Sequence, residues 1–304
     1  MTVSCTNINA SNRENILSSQ PNVLNKNTTS STNPRTELSG QIEQISQAAQ
    51  GRVGVTATVL ETGESVTLNG NQRFPMQSVY KFPIAMSVLA KVDQGELKLD
   101  QKIRVEISDI VQGSRILDEK SPGVELRLDE LLKYMVSESD NTACDVLLRL
   151  VGEPKIVTNY VRRLGVNDII VANTEKELAQ DVAVQYRNDA TPDATVVLLR
   201  SFHEGKGLSK SSQALLQRWM TETSTGLKRL KGRLPDGTVV AHKTGTSATV
   251  NGVTAATNDV GLVTLPNGRH LAIAVFVSDS TADTAIREEV IAKVVRAVWD
   301  EWSK

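Results

Sequence analysis

"NDVGLVTLPNGRHLAIAVFVSD", residues 258–279, is a pair of apolar, β-rich runs around the bend Pro266-Asn267-Gly268, the pattern of an antiparallel hairpin. Two or three strands alone are marginal in water, so this hairpin needs partners. They lie at the other end of the chain. "RVGVTATVLETGESVTLN", residues 52–69, gives two further β-rich runs around Thr62-Gly63. Each terminal block also carries a helical pattern. Leu38, Ile42 and Ile45 share one face of "ELSGQIEQISQAA", and "TAIREEVIAKVVRAVWDEW" spaces Ile286, Val290, Val294, Val298 and Trp302 every fourth residue, an amphipathic stripe. The economical solution is one antiparallel sheet built from both ends of the chain, with the terminal helices on a face.

The middle of the chain is helical. "LRLDELLKYMVS" puts Leu128, Leu131, Leu132 and Met135 on one face, and "TACDVLLRLVG" stops at Gly152, a helix terminator. "DATVVLLRSFHEG" and "KSSQALLQRWMTE" continue the series. The expected fold class is therefore α/β plus all-α: an antiparallel sheet from both termini, flanked by helices, with an inserted helical lobe. Residues 37–74 and 222–304 make the discontinuous α/β lobe and 75–221 the helical lobe. A cleft between lobes is the default place for chemistry.

Composition narrows the class. The 304 residues can bury a substantial core, and a formal net charge of −1 points away from nucleic acid and anionic membranes. The three histidines, His203, His242 and His270, and the two cysteines, Cys5 and Cys144, include no pair at metal-site spacing. No zinc centre and no cofactor are expected, nor a disulfide between a tail cysteine and one in an apolar helix pattern. No stretch reaches the roughly 18 apolar residues of a transmembrane segment. Residues 1–36, rich in Asn, Ser and Thr, read as a disordered polar tether without the apolar core of a signal peptide. Cys5 ahead of such a tether is compatible with a lipid anchor, or is simply a stray tail cysteine.

Chemistry enters with "MQSVYKFPIAMSVLA", residues 76–90. In a helix, Ser78 and Lys81 at i and i+3 lie on one face, about 5–6 Å apart at Cβ, with Ser78 in the first turn where free N–H groups favour developing negative charge. A neighbouring base is what a weak serine nucleophile needs. The pair alone is weak, because roughly one chance Ser-x-x-Lys is expected in a chain this long. Two further motifs follow in order. "SESDNTACD" holds Ser139-Asp140-Asn141 and "AHKTGTSA" holds Lys243-Thr244-Gly245-Thr246, with Glu175 between them in the polar stretch "NTEKELAQD". Ser-x-x-Lys, Ser-Asp-Asn and Lys-Thr-Gly together are the signature of class A β-lactamases and penicillin-binding proteins.

Through "MQSVYKF", "SDNTACD", "VQYRN" and "AHKTGTS", residues 37–304 resemble the class A serine β-lactamases, and most of all their PER/VEB-type branch. The resemblance implies Ser78 as nucleophile, Lys81 as its activating base, and Ser139 as the proton relay to the leaving nitrogen. It also implies Glu175 as the base that activates the hydrolytic water. Asn141, Lys243, Thr244, Thr246 and Arg229 would bind substrate, the backbone N–H groups of Ser78 and Thr246 would form the oxyanion hole, and Asp140 would fix its loop. A bacterial, periplasmic or secreted monomer acting on a small β-lactam follows, without metal or cofactor.

Departures from the family pattern are specific. Ala179 stands four residues after Glu175 where Asn is usual, and Asn173 and Asn188 replace a bracing Arg–Asp pair. Val253 stands where an arginine is common, so Arg229, fourteen residues before Lys243, is the replacement unless it merely belongs to the surface run "KRLKGR". Glu177 rivals Glu175 as the loop base. A D,D-peptidase or a non-hydrolysing penicillin-binding sensor shares the motif trio but lacks the loop glutamate, which is the discriminating residue.

Overall fold

The computed structural model describes residues 34–304, which belong to one compact unit. The tail reading, with Cys5 and the question of its anchor, lies outside the described residues. The first helix, α1 (Pro34–Ser46), begins before the 37 boundary. Proline suits that first position, since its missing N–H would have had no partner there.

Five strands form the main sheet: β1 (Arg52–Val59), β2 (Ser65–Leu68), β3 (Val240–Thr246), β4 (Thr257–Thr264) and β5 (His270–Ser278), in the order β2-β1-β5-β4-β3, all antiparallel. The hairpin of residues 258–279 is thus the centre of the sheet, and β1 pairs with it from Arg52↔Ser278 to Val59↔Leu271. Both termini build one sheet, as expected.

Strand alternation sends β5 side chains to two separate cores. Leu271, Ile273, Val275 and Val277 join Val53, Val55, Ala57 and Val59 beneath α1 and α9 (Thr284–Trp302). Ala272, Ala274 and Phe276 join the opposite core, built with α2 (Lys81–Asp93), α3 (Leu128–Ser137), α4 (Asn141–Val151), α5 (Pro154–Arg163), α7 (Pro192–His203) and α8 (Lys210–Thr221). The short helix α6 (Glu175–Leu178) precedes α7. The α9 stripe is buried at Val290, Val294, Val298 and Trp302, but Ile286 is exposed. A strict four-residue spacing drifts about 40° per step on a helix of 3.6 residues per turn, so the ends of a long stripe cannot share one face.

The sheet meets the helical side closely at Gly54. Phe74 stacks on Phe276 at 5.8 Å between centroids, with the Arg52 guanidinium 4.6 Å over the Phe74 ring. A Cβ on Gly54 would run into that ring and lie 2.9 Å from Pro192 Cγ. Gly54→Ala is expected to destabilise by about 1–3 kcal/mol through overpacking, read as a lower Tm. Gly40→Ala, in α1 with nothing near its Cβ, is the matched control and should hold or raise Tm, since alanine is the better helix former. Equal melting of the two variants would contradict this packing.

Candidate active site

Ser78 lies in a 3₁₀ turn, Gln77–Tyr80, that runs into α2 at Lys81, rather than in the first turn of an α-helix. Gln77 just before it has φ +47°, a left-handed conformation that costs energy for a residue with a side chain and persists only under constraint. The constraints are visible. Gln77 Nε2 donates to Gln185 Oε1 at 3.0 Å, and Asn258 Nδ2 donates to the Pro75 and Met76 carbonyls at 2.8 and 3.1 Å. On the other side β3 passes so close that a Cβ on Gly245 would run into the Met76 carbonyl oxygen. The glycine of Lys-Thr-Gly is what lets this strand approach the turn that holds Ser78.

Lys81 is fully buried, and its ammonium is the meeting point of three segments. It donates to the Ser139 carbonyl at 2.8 Å and Asn141 Oδ1 at 2.6 Å, and ion-pairs with Glu175 Oε1 at 2.9 Å. Ser139, held at φ +60°, receives a second amine: Lys243 Nζ donates to its Oγ at 2.9 Å. Burial, reinforced by the Lys81 charge, pushes Lys243 well below the ordinary lysine range. Asp140 is the N-cap of α4, accepting from Ala143 N at 2.8 Å, while its other oxygen accepts from Ile116 N and Leu117 N at 2.7 and 3.0 Å. It fixes the Ser-Asp-Asn loop and turns away from the amines. Cys144, behind this cluster, is buried with its thiol pushed well up by desolvation, so it is no rival nucleophile.

Glu175 was expected in a loop and instead opens α6. The missed signal was Thr174-x-x-Glu177, a capping box before an apolar residue. That box separates the two rival glutamates. Glu177 accepts from Thr174 N at 2.9 Å and Asn173 Nδ2 at 3.1 Å, so its carboxylate is committed to the helix start, while Glu175 reaches Lys81. Asn188 takes up the missing Arg–Asp brace with neutral groups: its Oδ1 accepts from Ala172 N and Asn173 N at 2.8 and 2.9 Å, and its Nδ2 donates to the Asn173 carbonyl. Ala179, the C-cap of α6, contributes only its backbone N–H to the Glu175 carbonyl.

One residue went unread. Asp145, on α4, accepts from Glu175 N at 2.8 Å and Lys176 N at 3.0 Å, tying α6 to α4 through both oxygens. Burial pushes its carboxyl up to about 7 against the pull of those N–H donors. It lies inside the quoted "SDNTACD", four residues after Asn141, one helical turn on and therefore on the same face.

Arg229 is buried, not part of the exposed run. Its Nη1 donates to the Gly245 and Asn258 carbonyls at 3.2 and 2.9 Å and its Nη2 to Thr246 Oγ1 at 2.8 Å, while Nε faces Glu288 Oε1 at 3.2 Å. Thr244 Oγ1 shares a 2.7 Å hydrogen bond with Thr225 Oγ1. Ser78, Ser139, Asn141, Arg229, Thr244 and Thr246 line one open cavity of about 420 Å³. Val253, by contrast, is exposed. The cavity therefore offers a hydroxyl beside buried amines on one wall, and hydroxyls with a guanidinium on the other. That set can attack a carbonyl and hold a carboxylate.

A family model described as the β-lactamase enzyme family matches residues 37–302. The chain is 43% identical over 265 residues to the extended-spectrum β-lactamase PER-1 of Pseudomonas aeruginosa, covering 86% of each. It is 41% identical over 267 residues to β-lactamase VEB-1 of the same organism, covering 86% of this chain and 89% of that one. The crystal structure of a β-lactamase from Chitinophaga pinensis superposes with a TM-score of 0.85 at 48% identity, over 87% of this chain and 98% of that one.

The double acceptor role of Asp145 is testable. Asn in its place offers one carbonyl and turns an N–H donor toward the second backbone N–H, so Asp145→Asn should cost about 1–3 kcal/mol. Tm should fall and amide exchange across residues 175–178 should accelerate. Unchanged exchange there would mean that α6 is held by other contacts.

Proposed function

The chain belongs to the β-lactamase enzyme family, as a class A serine β-lactamase, and we propose that Ser78, Lys81, Ser139 and Glu175 carry its reaction. The enzyme hydrolyses the β-lactam amide of penicillins and cephalosporins through an acyl-enzyme and so confers antibiotic resistance. The observation that carries the assignment of roles is the 2.9 Å contact between Glu175 Oε1 and Lys81 Nζ. It sets a carboxylate beside the amine that serves the nucleophile, which is what separates a hydrolase from a peptidase or a sensor that stays acylated.

In acylation Ser78 Oγ attacks the lactam carbonyl carbon and loses its proton to the Lys81–Glu175 pair. The backbone N–H groups of Ser78 and Thr246 receive the oxyanion, the kind of fixed dipole that contributes most to such barriers. The C–N bond breaks, and the ring nitrogen takes its proton from Ser139 Oγ, which the 2.9 Å hydrogen bond from Lys243 orients. Ser139 regains a proton from Lys81 Nζ, 3.5 Å away, so that the proton lost by Ser78 ends on the leaving nitrogen and Glu175 is again a carboxylate. Glu175 then removes a proton from water, which attacks the ester, and that proton passes through Lys81 to Ser78 Oγ as it leaves. The substrate carboxylate docks on Thr244, Thr246 and Arg229. An anion there also pulls Lys243 back toward its charged form, so substrate binding supplies the positive field that burial alone opposes. Asn141, already oriented by Lys81, has its amide N–H₂ left to meet the substrate's side-chain amide.

The name of the PER-1 relative supports an extended spectrum, and we infer that bulky oxyimino cephalosporins are among the substrates. A periplasmic or secreted location fits this role, and no helix among the described residues is long and apolar enough to cross a membrane.

Two variants separate the chemical steps. Ser78→Ala should form no covalent adduct with a cephalosporin. Glu175→Gln should slow deacylation by about the 10²–10⁴-fold typical of a general base, and intact-protein mass spectrometry should show the acyl-enzyme accumulating on the peptide that contains Ser78. Wild-type turnover in Glu175→Gln would sink the assignment.

Arg229→Ala tests the carboxylate subsite. Charge-assisted hydrogen bonds are worth about 1.5–3 kcal/mol, so kcat/KM should drop by roughly ten- to a hundred-fold. Unchanged kinetics would leave the substrate anion to Lys243 and the threonines.

A further inference from the structure

The sequence holds no two histidines at metal-site spacing, yet the fold brings two of them together far from the catalytic residues. His270 is the first residue of β5 and His203 the last of α7. Their rings lie 4.5 Å apart between centroids, tilted by 45°. Glu61, just past the end of β1, completes the group, and one ligand atom from each of the three lies within 4.8 Å of the others.

We propose that Glu61, His203 and His270 form a binding site for a divalent transition-metal ion of the zinc class. Two imidazoles and one carboxylate are a recognised zinc donor set, which leaves a fourth position for water. Two histidine rings in contact are a poor arrangement for cations, since both would repel when protonated, and a good one for a metal that takes both neutral.

Glu61 is already oriented for this purpose by the backbone. The β1–β5 ladder runs on past Val59, with Leu60 N donating to the His270 carbonyl at 2.8 Å. That places Glu61 beside His270, whose backbone N–H donates to Glu61 Oε2 at 2.9 Å, and whose Nδ1 lies 2.7 Å from Glu61 Oε1. An ion entering here would bind Nδ1 of the neutral His270 imidazole, whose proton shifts to Nε2 by exchange with solvent, and the Glu61 carboxylate, so that metal–nitrogen and metal–oxygen bonds take the place of the hydrogen bond between them. The remaining charges nearby are engaged elsewhere: Lys206 pairs with Glu204, and Arg269 with Glu64. Access is open, with the His270 side chain 30% and that of Glu61 39% exposed. A bound ion would staple the β1–β2 turn, the start of β5 and the end of α7, three segments otherwise joined through the sheet and its core.

The test uses the full chain, stripped with EDTA and dialysed, then titrated calorimetrically with ZnCl₂ at neutral pH. Wild type should show a one-equivalent binding phase, and zinc should raise its Tm. His203→Ala and His270→Ala should each weaken that phase by more than the roughly 10–100-fold that loss of an outer-shell partner costs. The double variant should lose it altogether while turning over a chromogenic cephalosporin like wild type, which shows that it is folded. Absence of the phase in wild type would overturn the proposal. So would its survival in the double variant, which would put the ion elsewhere, with Cys5 the first place to look. A Glu61→Gln variant that binds zinc as tightly as wild type would overturn the three-ligand site.

Discussion

A lysine ammonium with no solvent exposure is the constraint around which this molecule is arranged. Moving such a charge out of water costs several kcal/mol even after relaxation, and only close, well-aligned partners offset it. Lys81 meets that demand with a carbonyl and an amide oxygen from the start of α4 and a carboxylate from α6. The partners come from two segments other than that of Lys81 itself, so the charge fixes the mutual positions of α2, α4 and α6. The same partners are the groups that a serine nucleophile requires. Structural need and chemical need coincide at one nitrogen atom.

The loop that delivers Glu175 solves a second problem with little charge. Where an Arg–Asp pair would brace it, the Asn188 side chain does so here, by hydrogen bonds to the backbone of Ala172 and Asn173 rather than by Coulomb attraction. Neutral hydrogen bonds need no ion to be desolvated, and Asn188 is completely buried, where an ion pair would have faced a large desolvation cost. Asp145 adds a carboxylate to this bracing, clamped on two backbone N–H groups and pushed toward neutrality by burial. Glu175 is thus held by its own backbone, which leaves its carboxylate free to face Lys81.

What could be read in the sequence follows from which interactions are local. The hairpin of residues 258–279, the helical stripe of Leu128, Leu131, Leu132 and Met135, and the stop at Gly152 rest on period and turn chemistry within a few residues, and all were legible. So was the sheet assembled from both termini, because isolated hairpins are too weak to be left alone. The motif trio was legible by its joint order. The capping box at Thr174 and Glu177 was local and readable but was passed over in favour of a loop. The clamp by Asp145 depends on a helix face meeting a loop some thirty residues away, and no spacing rule foretells that. Whether Arg229 was a surface or a buried residue was likewise undecidable from "KRLKGR", because only the approach of β3 and β4 supplies its acceptors.

The position of β3 accounts for the clustering of the proposed substrate-binding groups in Lys-Thr-Gly-Thr. It is the edge strand, paired only with β4, and an edge leaves one row of backbone N–H and C=O groups without a ladder partner. Such a row is normally a hazard, open to any chain that can extend against it. Here the outer side of the edge borders the cavity lined by Ser78, Ser139 and Arg229, so the free backbone groups face a small ligand rather than another protein. Alternation then divides the labour. Lys243 points with Ala241 to the helical side and reaches Ser139. Thr244 and Thr246 lie on the other row, and their hydroxyls meet Thr225 and Arg229. Gly245, between them, carries no side chain because the turn that holds Ser78 already occupies that space. Any residue with a Cβ at 245 would push the edge away from Ser78, so the Ser78 turn and the Lys-Thr-Gly edge are kept in register by the absence of one carbon atom.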